Sequence, residues 1–186
     1  MTVETSRLIL RRWQPADREP WAAMNADPDV MRYFPQPLDR AGSDALLDRL
    51  DGMFGQYGYG FWAVELRATG EFAGSIGLAL QDYPAPFTPA TEVGWRLARH
   101  AWGHGYATEG ARASLRFAFE HCGLSEVVST TAVPNEPSQA VMRRLGMTRD
   151  PAEDFDHPRV PAGPLRRHVL YRLSRDEWLT QQEPTD

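Results

Sequence analysis

Cysteine occurs once in this chain, at position 122, so no internal disulfide can form. Cys122 falls on the apolar side of a helical pattern, where packing rather than nucleophilic chemistry is expected of it. No apolar run approaches the roughly 20 residues that a membrane-crossing helix needs, and no apolar leader opens the chain, so a cytoplasmic protein without a membrane partner is expected. Histidine, cysteine and aspartate show no ligand spacing, and no metal is expected. Positive charge is in deficit, 20 Lys and Arg against 25 Asp and Glu, for a formal net charge of −5. That balance argues against nucleic-acid binding by phosphate neutralisation and suits an amine-bearing substrate.

What is present describes one ordinary globular unit. The 186 residues are 42% hydrophobic and 24% charged, enough for one sizeable core, and a single domain over 1–178 with a short polar tail over 179–186 is expected. Strand pattern runs over 8–13, 61–66, 72–80, 91–97, 126–133 and 167–173. Helical spacing marks 43–54, ended by Gly55 and Gly58, a long helix from Tyr106 to Gly123, a helix capped by Asn135 that ends at Gly146, and a short helix ending at Trp178. A short helical turn is expected at Asp27-Pro28-Asp29. The stretch 149–166 is rich in proline and charge and is expected to be a long loop, either a lid or substrate wall or a solvated crossover.

The most informative segment is Trp102-Gly103-His104-Gly105-Tyr106-Ala107-Thr108-Glu109-Gly110, which follows the strand Glu92-Val93-Gly94-Trp95-Arg96-Leu97 and opens directly into the long helix. Glycines let the backbone aim several N–H groups at one point, and the helix N-terminus adds partial positive charge, so a phosphate or pyrophosphate is the natural guest. A Walker A loop is excluded, because no Gly-Lys-Ser/Thr follows at the required spacing. A dinucleotide fingerprint fails as well, since position 108 is threonine where glycine or alanine is needed.

The remaining pattern, His100-Ala101-Trp102-Gly103-His104-Gly105, resembles the acyl-CoA pyrophosphate loop Gln/Arg-x-x-Gly-x-Gly/Ala of the Gcn5-related N-acetyltransferase (GNAT) superfamily, with His100 departing at the first position beside Arg99. The continuation Tyr106-Ala107-Thr108-Glu109 resembles the RimJ/RimL-like branch. Further matches follow in order: Thr5-Ser6-Arg7-Leu8-Ile9-Leu10-Arg11, Glu92-Val93-Gly94-Trp95, Asn135-Glu136-Pro137-Ser138, Leu145-Gly146-Met147 and His168-Val169-Leu170-Tyr171-Arg172-Leu173. The resemblance implies an α/β (α+β) GNAT fold, a mixed and mostly antiparallel central sheet of about seven strands flanked by helices. It also implies acetyl-CoA as acetyl donor with CoA as product, and an amine acceptor, either a small molecule or a protein N-terminus.

Amide formation needs a base for the protonated amine and a proton or hydrogen bond for the leaving thiolate. Glu92 is the base candidate; it shares a strand face with Gly94 and Arg96, and an exposed glutamate paired with Arg96 is the plain alternative. By resemblance Ser138 lies near the CoA sulfur and hydrogen-bonds the thiolate, although a first-turn serine satisfying backbone groups fits equally. Asn135 either binds the pantetheine arm or caps its helix. Backbone amides of Trp95, Arg96 and Leu97 are expected to meet the pantetheine arm if this strand splays from the strand over 127–131, and those of Trp102, Gly103, His104, Gly105, Tyr106, Ala107 and Thr108 the pyrophosphate. The competing classes are a non-catalytic acyl-CoA-binding or sensor domain and, more remotely, a nucleotide-binding protein; a homodimer stays open.

Overall fold

The computed structural model describes residues 1–182, and the expected tail residues 183–186 lie outside the described residues. Eight strands form one sheet: β1 (Val3–Glu4), β2 (Leu8–Arg11), β3 (Phe61–Leu66), β4 (Phe72–Gln81), β5 (Ala90–Leu97), β6 (Glu126–Ala132), β7 (Phe155–Asp156) and β8 (Arg167–Ser174), in the order β1-β2-β3-β4-β5-β6-β8-β7. Every pairing is antiparallel except β5 with β6, which run parallel and share a single registered pair, Glu92 opposite Val128. Two strands lie beyond the six that the pattern marks: β1, and β7 from the 149–166 stretch, expected to be loop throughout, where Phe155 pairs with His168 at the sheet edge. Two-residue strands are too short to show a period, so sequence pattern does not reveal them.

Five helices cover the sheet: α1 (Arg18–Ala26), α2 (Arg40–Tyr57), α3 (Tyr106–Arg116), α4 (Glu136–Arg144) and α5 (Arg175–Thr180). The short helical turn expected at Asp27-Pro28-Asp29 is a single one, closed by Met31 N donating to Asp27 O at 3.0 Å, and turns continue to Tyr33. The helix expected to stop at Gly55 runs through it; Gly58, left-handed at φ 75°, is the cap, its N–H bonding to Phe54 O. Asp39 starts that helix by accepting from Gly42 N at 2.7 Å. α3 continues as a π turn over Phe117–His121 before Gly123. α5 starts at a capping box formed by Ser174 and Glu177 and reaches Thr180, two residues into the expected tail.

Both sheet faces are covered, and the central strand β4 is accordingly buried from Phe72 to Ala79 without alternation. In β3, Trp62 and Val64 join Leu10, Ile76, Val93, Leu115, Met142 and Trp178 in one cluster, while Ala63 faces Trp21, Met24, Leu47 and Leu50 in another. α3, α4 and α5 therefore lie over one face, and α1 with most of the apolar side of α2 over the other. Gly110 brings α3 close to β4: a Cβ there would sit 2.5 Å from Ile76 Cδ1, and the end of the buried Ile76 side chain would have to move to admit it. Among the described residues no helix is long and apolar enough to cross a membrane.

Candidate active site

The glycine-bearing turn and the middle of β5 open on the same cavity, of ≈ 1690 Å³. Gly103 and Gly105 both take left-handed backbone, φ 79° and 80°, and Gly105 is the residue before α3. In that geometry the amides at the helix start turn outward together, and no side chain but glycine adopts the conformation cheaply. Of residues 102–108, all but His104 line the cavity; the His104 ring stacks on Tyr106 at 5.4 Å instead.

A second layer fixes this turn. Glu109, in the first turn of α3, accepts from Thr5 Oγ1 at 2.6 Å, Ser6 Oγ at 3.1 Å and Arg7 N at 3.0 Å, all on Oε1. Its other oxygen takes Arg7 Nε at 2.6 Å. Burial works against the Glu109 charge, but the hydrogen bonds from Thr5, Arg7 and Ser6 outweigh it and hold the carboxyl below its ordinary range. Arg7 in turn donates to His104 O at 2.9 Å and lies over the Tyr106 ring at 4.9 Å, bringing a guanidinium to the rim of the turn. In sequence 5–7 is only a motif and Arg7 and Glu109 have no evident task; their pairing spans more than a hundred residues, and only the fold reveals it.

Glu92 belongs to the point where the sheet parts. Beyond the Glu92–Val128 pair, Thr130 N donates not to β5 backbone but to Glu92 Oε1 at 2.9 Å, as does Thr130 Oγ1 at 2.7 Å, while Gln81 Nε2 reaches Oε2 at 2.5 Å. Ser129 Oγ donates to the Val93 carbonyl at 2.9 Å. Side chains thus replace the backbone ladder, and β5 and β6 diverge. Burial pushes the Glu92 carboxyl above its ordinary range, opposed in part by the bonds from Thr130 and Gln81. A carboxylate tuned upward is a better proton acceptor.

The plain alternative for Glu92, a pair with Arg96, is not what the structure shows. Arg96 Nη1 donates to Asn25 Oδ1 at 2.6 Å, and the guanidinium lies over the Phe34 ring at 4.0 Å. The Arg96 backbone also departs from expectation. Ala98 N bonds Ala73 O, so the antiparallel alternation turns the Arg96 N–H toward β4, opposite Ser75, and only Trp95 and Leu97 of the three present N–H groups to the β6 side. The Trp102 indole secures this end by donating to Leu97 O at 2.8 Å.

On the far side of the cleft, Asn135 caps α4, its Oδ1 accepting from Ser138 N at 3.3 Å. Its Nδ2 donates to Thr131 Oγ1 at 2.8 Å and to Ser138 Oγ at 3.1 Å. Ser138 Oγ therefore acts as acceptor toward Asn135, which leaves its own proton to be aimed into the cavity that both residues line.

The remaining wall includes the 149–166 stretch, one of whose two expected roles is a substrate wall, but its individual residues carry no sequence signal. Tyr83, His157 and His168 line the cavity, with ring centroids 4.6 Å apart for Tyr83–His157 and 4.9 Å for His157–His168. His157 arrives from the 149–166 stretch, held by its N–H on Arg166 O at 2.9 Å, so that stretch supplies part of the cavity wall. Burial, with positive neighbours behind it, pulls His157 down to about 4, and burial lowers His168 too; both rings are neutral at pH 7. Burial, then the nearby Glu92 charge, raises the Tyr83 phenol, whose oxygen has no partner among the described residues. Isolated histidines and a tyrosine in a proline-rich loop carry no spacing signal that could have joined them.

With this geometry, the relatives are informative. A family model described as an acetyltransferase (GNAT) domain matches residues 7–148. The FsC-acetyl coenzyme A-N(2)-transacetylase of Aspergillus fumigatus is 35% identical over 191 residues, covering 99% of this chain and 80% of that protein. A solved acetyltransferase from Agrobacterium tumefaciens is 30% identical, with TM-score 0.75 and coverage of 93% of this chain and 94% of its own. The fold is also that of a spermidine N-acetyltransferase from Vibrio cholerae solved with CoA and spermine, TM-score 0.74 at 17% identity, with 94% and 99% of the two chains covered.

Proposed function

Since the chain belongs to the GNAT acetyltransferase family, we propose that Glu92 and Ser138 carry out direct transfer of the acetyl group of acetyl-CoA to a primary amine, on a small molecule or a protein N-terminus. The enzyme is an acetyl-CoA-dependent N-acetyltransferase of GNAT fold, with a mixed eight-stranded sheet flanked by helices. One observation supports the assignment of roles above others: the left-handed glycine turn, the diverging β5–β6 edge and the Glu92 carboxylate all face one cavity.

The residues present fit a CoA. Successive amides at the start of α3, with Arg7 beside them, suit a pyrophosphate, and Trp95 and Leu97 N–H groups suit the amides of a pantetheine arm. When bound, acetyl-CoA supplies an activated thioester at the cleft. Glu92 takes a proton from the incoming ammonium, directly or through a water, and Thr130 and Gln81 hold its carboxylate in place for this. Ser138, positioned by Asn135, donates a hydrogen bond to the departing sulfur; its ordinary hydroxyl acidity favours that over full proton transfer. Tyr83, His157 and His168 close off the acceptor side from water.

The Tyr106-Ala107-Thr108-Glu109 run and Asn135-x-x-Ser138 support placement in the RimJ/RimL-like branch, and the continuous core from Leu8 to Trp178 supports one domain across the expected 1–178, extended to the end of α5. The absence of a long apolar helix among the described residues is consistent with the proposed cytoplasmic location. The test is calorimetric titration with acetyl-CoA, CoA and ATP, followed by an amine screen on wild type and Glu92→Gln. Binding of the CoA compounds alone, with transfer lost but affinity kept in the variant, is the expected result. A sensor domain would bind acetyl-CoA and be indifferent to the change.

A further inference from the structure

Arg96 is an anomaly in a chain that otherwise satisfies its enclosed arginines. Arg11, also largely covered, meets two carboxylates, Asp17 at 2.7 Å and Glu65 at 2.7 Å. Arg96 meets none among the described residues: its Nη1 rests on a neutral amide oxygen, its Nε is buried without a partner, and Asn25 Nδ2 beside it is buried and unpartnered too. Phe34 and Trp21, with centroids 4.0 and 5.6 Å from the guanidinium carbon, stabilise the cation through their ring faces but supply no counter-charge. The nearby charge has the wrong sign. Arg49 faces the same space; burial first, and then the repulsion of Arg49, pulls Arg96 down to about 10. Asp29, which lines the main cavity, is already bound by Arg32 at 2.7 Å and Arg99 at 2.9 Å.

Arg96 and Arg49 both line the main cavity and a side cavity of ≈ 650 Å³ whose other walls include Phe34, Met31 and Leu46. An enclosed guanidinium with free donors, beside a second cation and opening on a cavity, is a site lacking its anion. We infer that the acceptor amine carries an anionic group, a carboxylate or a phosphate, which pairs with Arg96 and Arg49 between α1, α2 and β5; the inference rests on the acetyltransferase reading. Glu92 and Arg96 lie four residues apart on one strand face, their Cα atoms ~13 Å apart, so amine and anion occupy opposite ends of the acceptor. A polycationic acceptor is disfavoured here by two like charges.

The test compares acetylation of three matched series by the full-length enzyme: ω-amino carboxylic acids of increasing chain length, ω-aminoalkyl phosphates, and neutral ω-amino amides. Acetyl-CoA affinity is measured in parallel. A charged hydrogen bond made only by the anion corresponds to about tenfold or more in kcat/KM, so acids or phosphates are expected to exceed the amides by that factor. The better of the two series identifies the anion. The preference should collapse in Arg96→Gln and shrink in Arg49→Gln, whose exposed site keeps the fold intact if the first variant is unstable. Equal turnover of charged and neutral series, a preference that survives both substitutions, or acetyl-CoA binding without transfer to any series overturns the inference. Failure to bind acetyl-CoA overturns the acetyltransferase reading itself, and this inference with it.

Discussion

Replacing Gly105 tests whether the anion-binding turn is a backbone device. At φ 80° the residue sits in left-handed space, and a Cβ there would meet only Arg7 Nη2, at 3.6 Å, so steric crowding from neighbours contributes nothing. The whole cost of Gly105→Ala is conformational, about 1–2 kcal/mol. That cost appears in one of two places. If Glu109, Arg7 and α3 hold the turn in place, it lowers stability, and a chain of this size loses about 2–8 °C in Tm with acetyl-CoA affinity unchanged. If the turn relaxes instead, Tm stays near wild type and Kd for acetyl-CoA rises about 5–30-fold. The two losses, measured by thermal unfolding and calorimetry on one preparation, should sum to the conformational figure. Gly105→Asn should show less in both assays, because asparagine tolerates left-handed backbone, and Gly105→Val should abolish binding while the fold survives. A valine variant with wild-type Tm and wild-type Kd refutes the role of the turn.

Glu92→Gln is expected to lower kcat about 10²–10⁴-fold with no change in acetyl-CoA Kd, read by steady-state kinetics and calorimetry. Because burial raises the folded-state pKa of Glu92, the folded protein binds the extra proton and wild-type stability falls as pH rises through that pKa; the Gln variant should match or exceed wild-type Tm at pH 7 and lose the advantage in acid. Glu109 has the opposite sign: its folded pKa is lowered, so its contribution is present above the unfolded value and lost as pH falls through the folded one. Glu109→Gln should therefore lower Tm at pH 7 by more than at acid pH, and weaken acetyl-CoA through the freed Arg7. Unfolded His157 takes a proton near 6.5 and folded His157 near about 4, so acidification across that window destabilises the wild type; His157→Gln should flatten the fall in a pH series of thermal melts.

The parts of this protein legible in sequence are those whose physics is local. Gly103 and Gly105 announce left-handed turns before a helix, Asn135 announces a cap, and the alternation through β5 places Glu92, Gly94 and Arg96 on one face, as found. Gly55 misled because a mid-helix glycine costs only about 1 kcal/mol, which the packing of Leu47, Leu50 and Phe54 offsets. The hidden parts are set by tertiary juxtaposition. Thr130 and Gln81 reach Glu92 from neighbouring strands, Glu109 gathers Thr5, Ser6 and Arg7, and Tyr83, His157 and His168 converge from three separate segments. None of these groupings has a spacing that a single sequence displays. Sequence points to the Arg96 amide, whereas the fold turns that amide toward β4 and brings the side chain to the cavity.

The single bridge between β5 and β6 gives this sheet two edges in its interior. Open edges ordinarily template pairing with another chain, and proteins shield them with charge, bulges or short strands. On the proposed function the shield is the cofactor: the amides of Trp95 and Leu97 face a gap that a pantetheine arm would fill as a removable strand does. Hydrogen exchange at those two amides should therefore be fast in the free enzyme and slow when CoA is present. By the same token, CoA in the buffer should suppress self-association of the purified protein, since it occupies the edge that a second chain would otherwise seek.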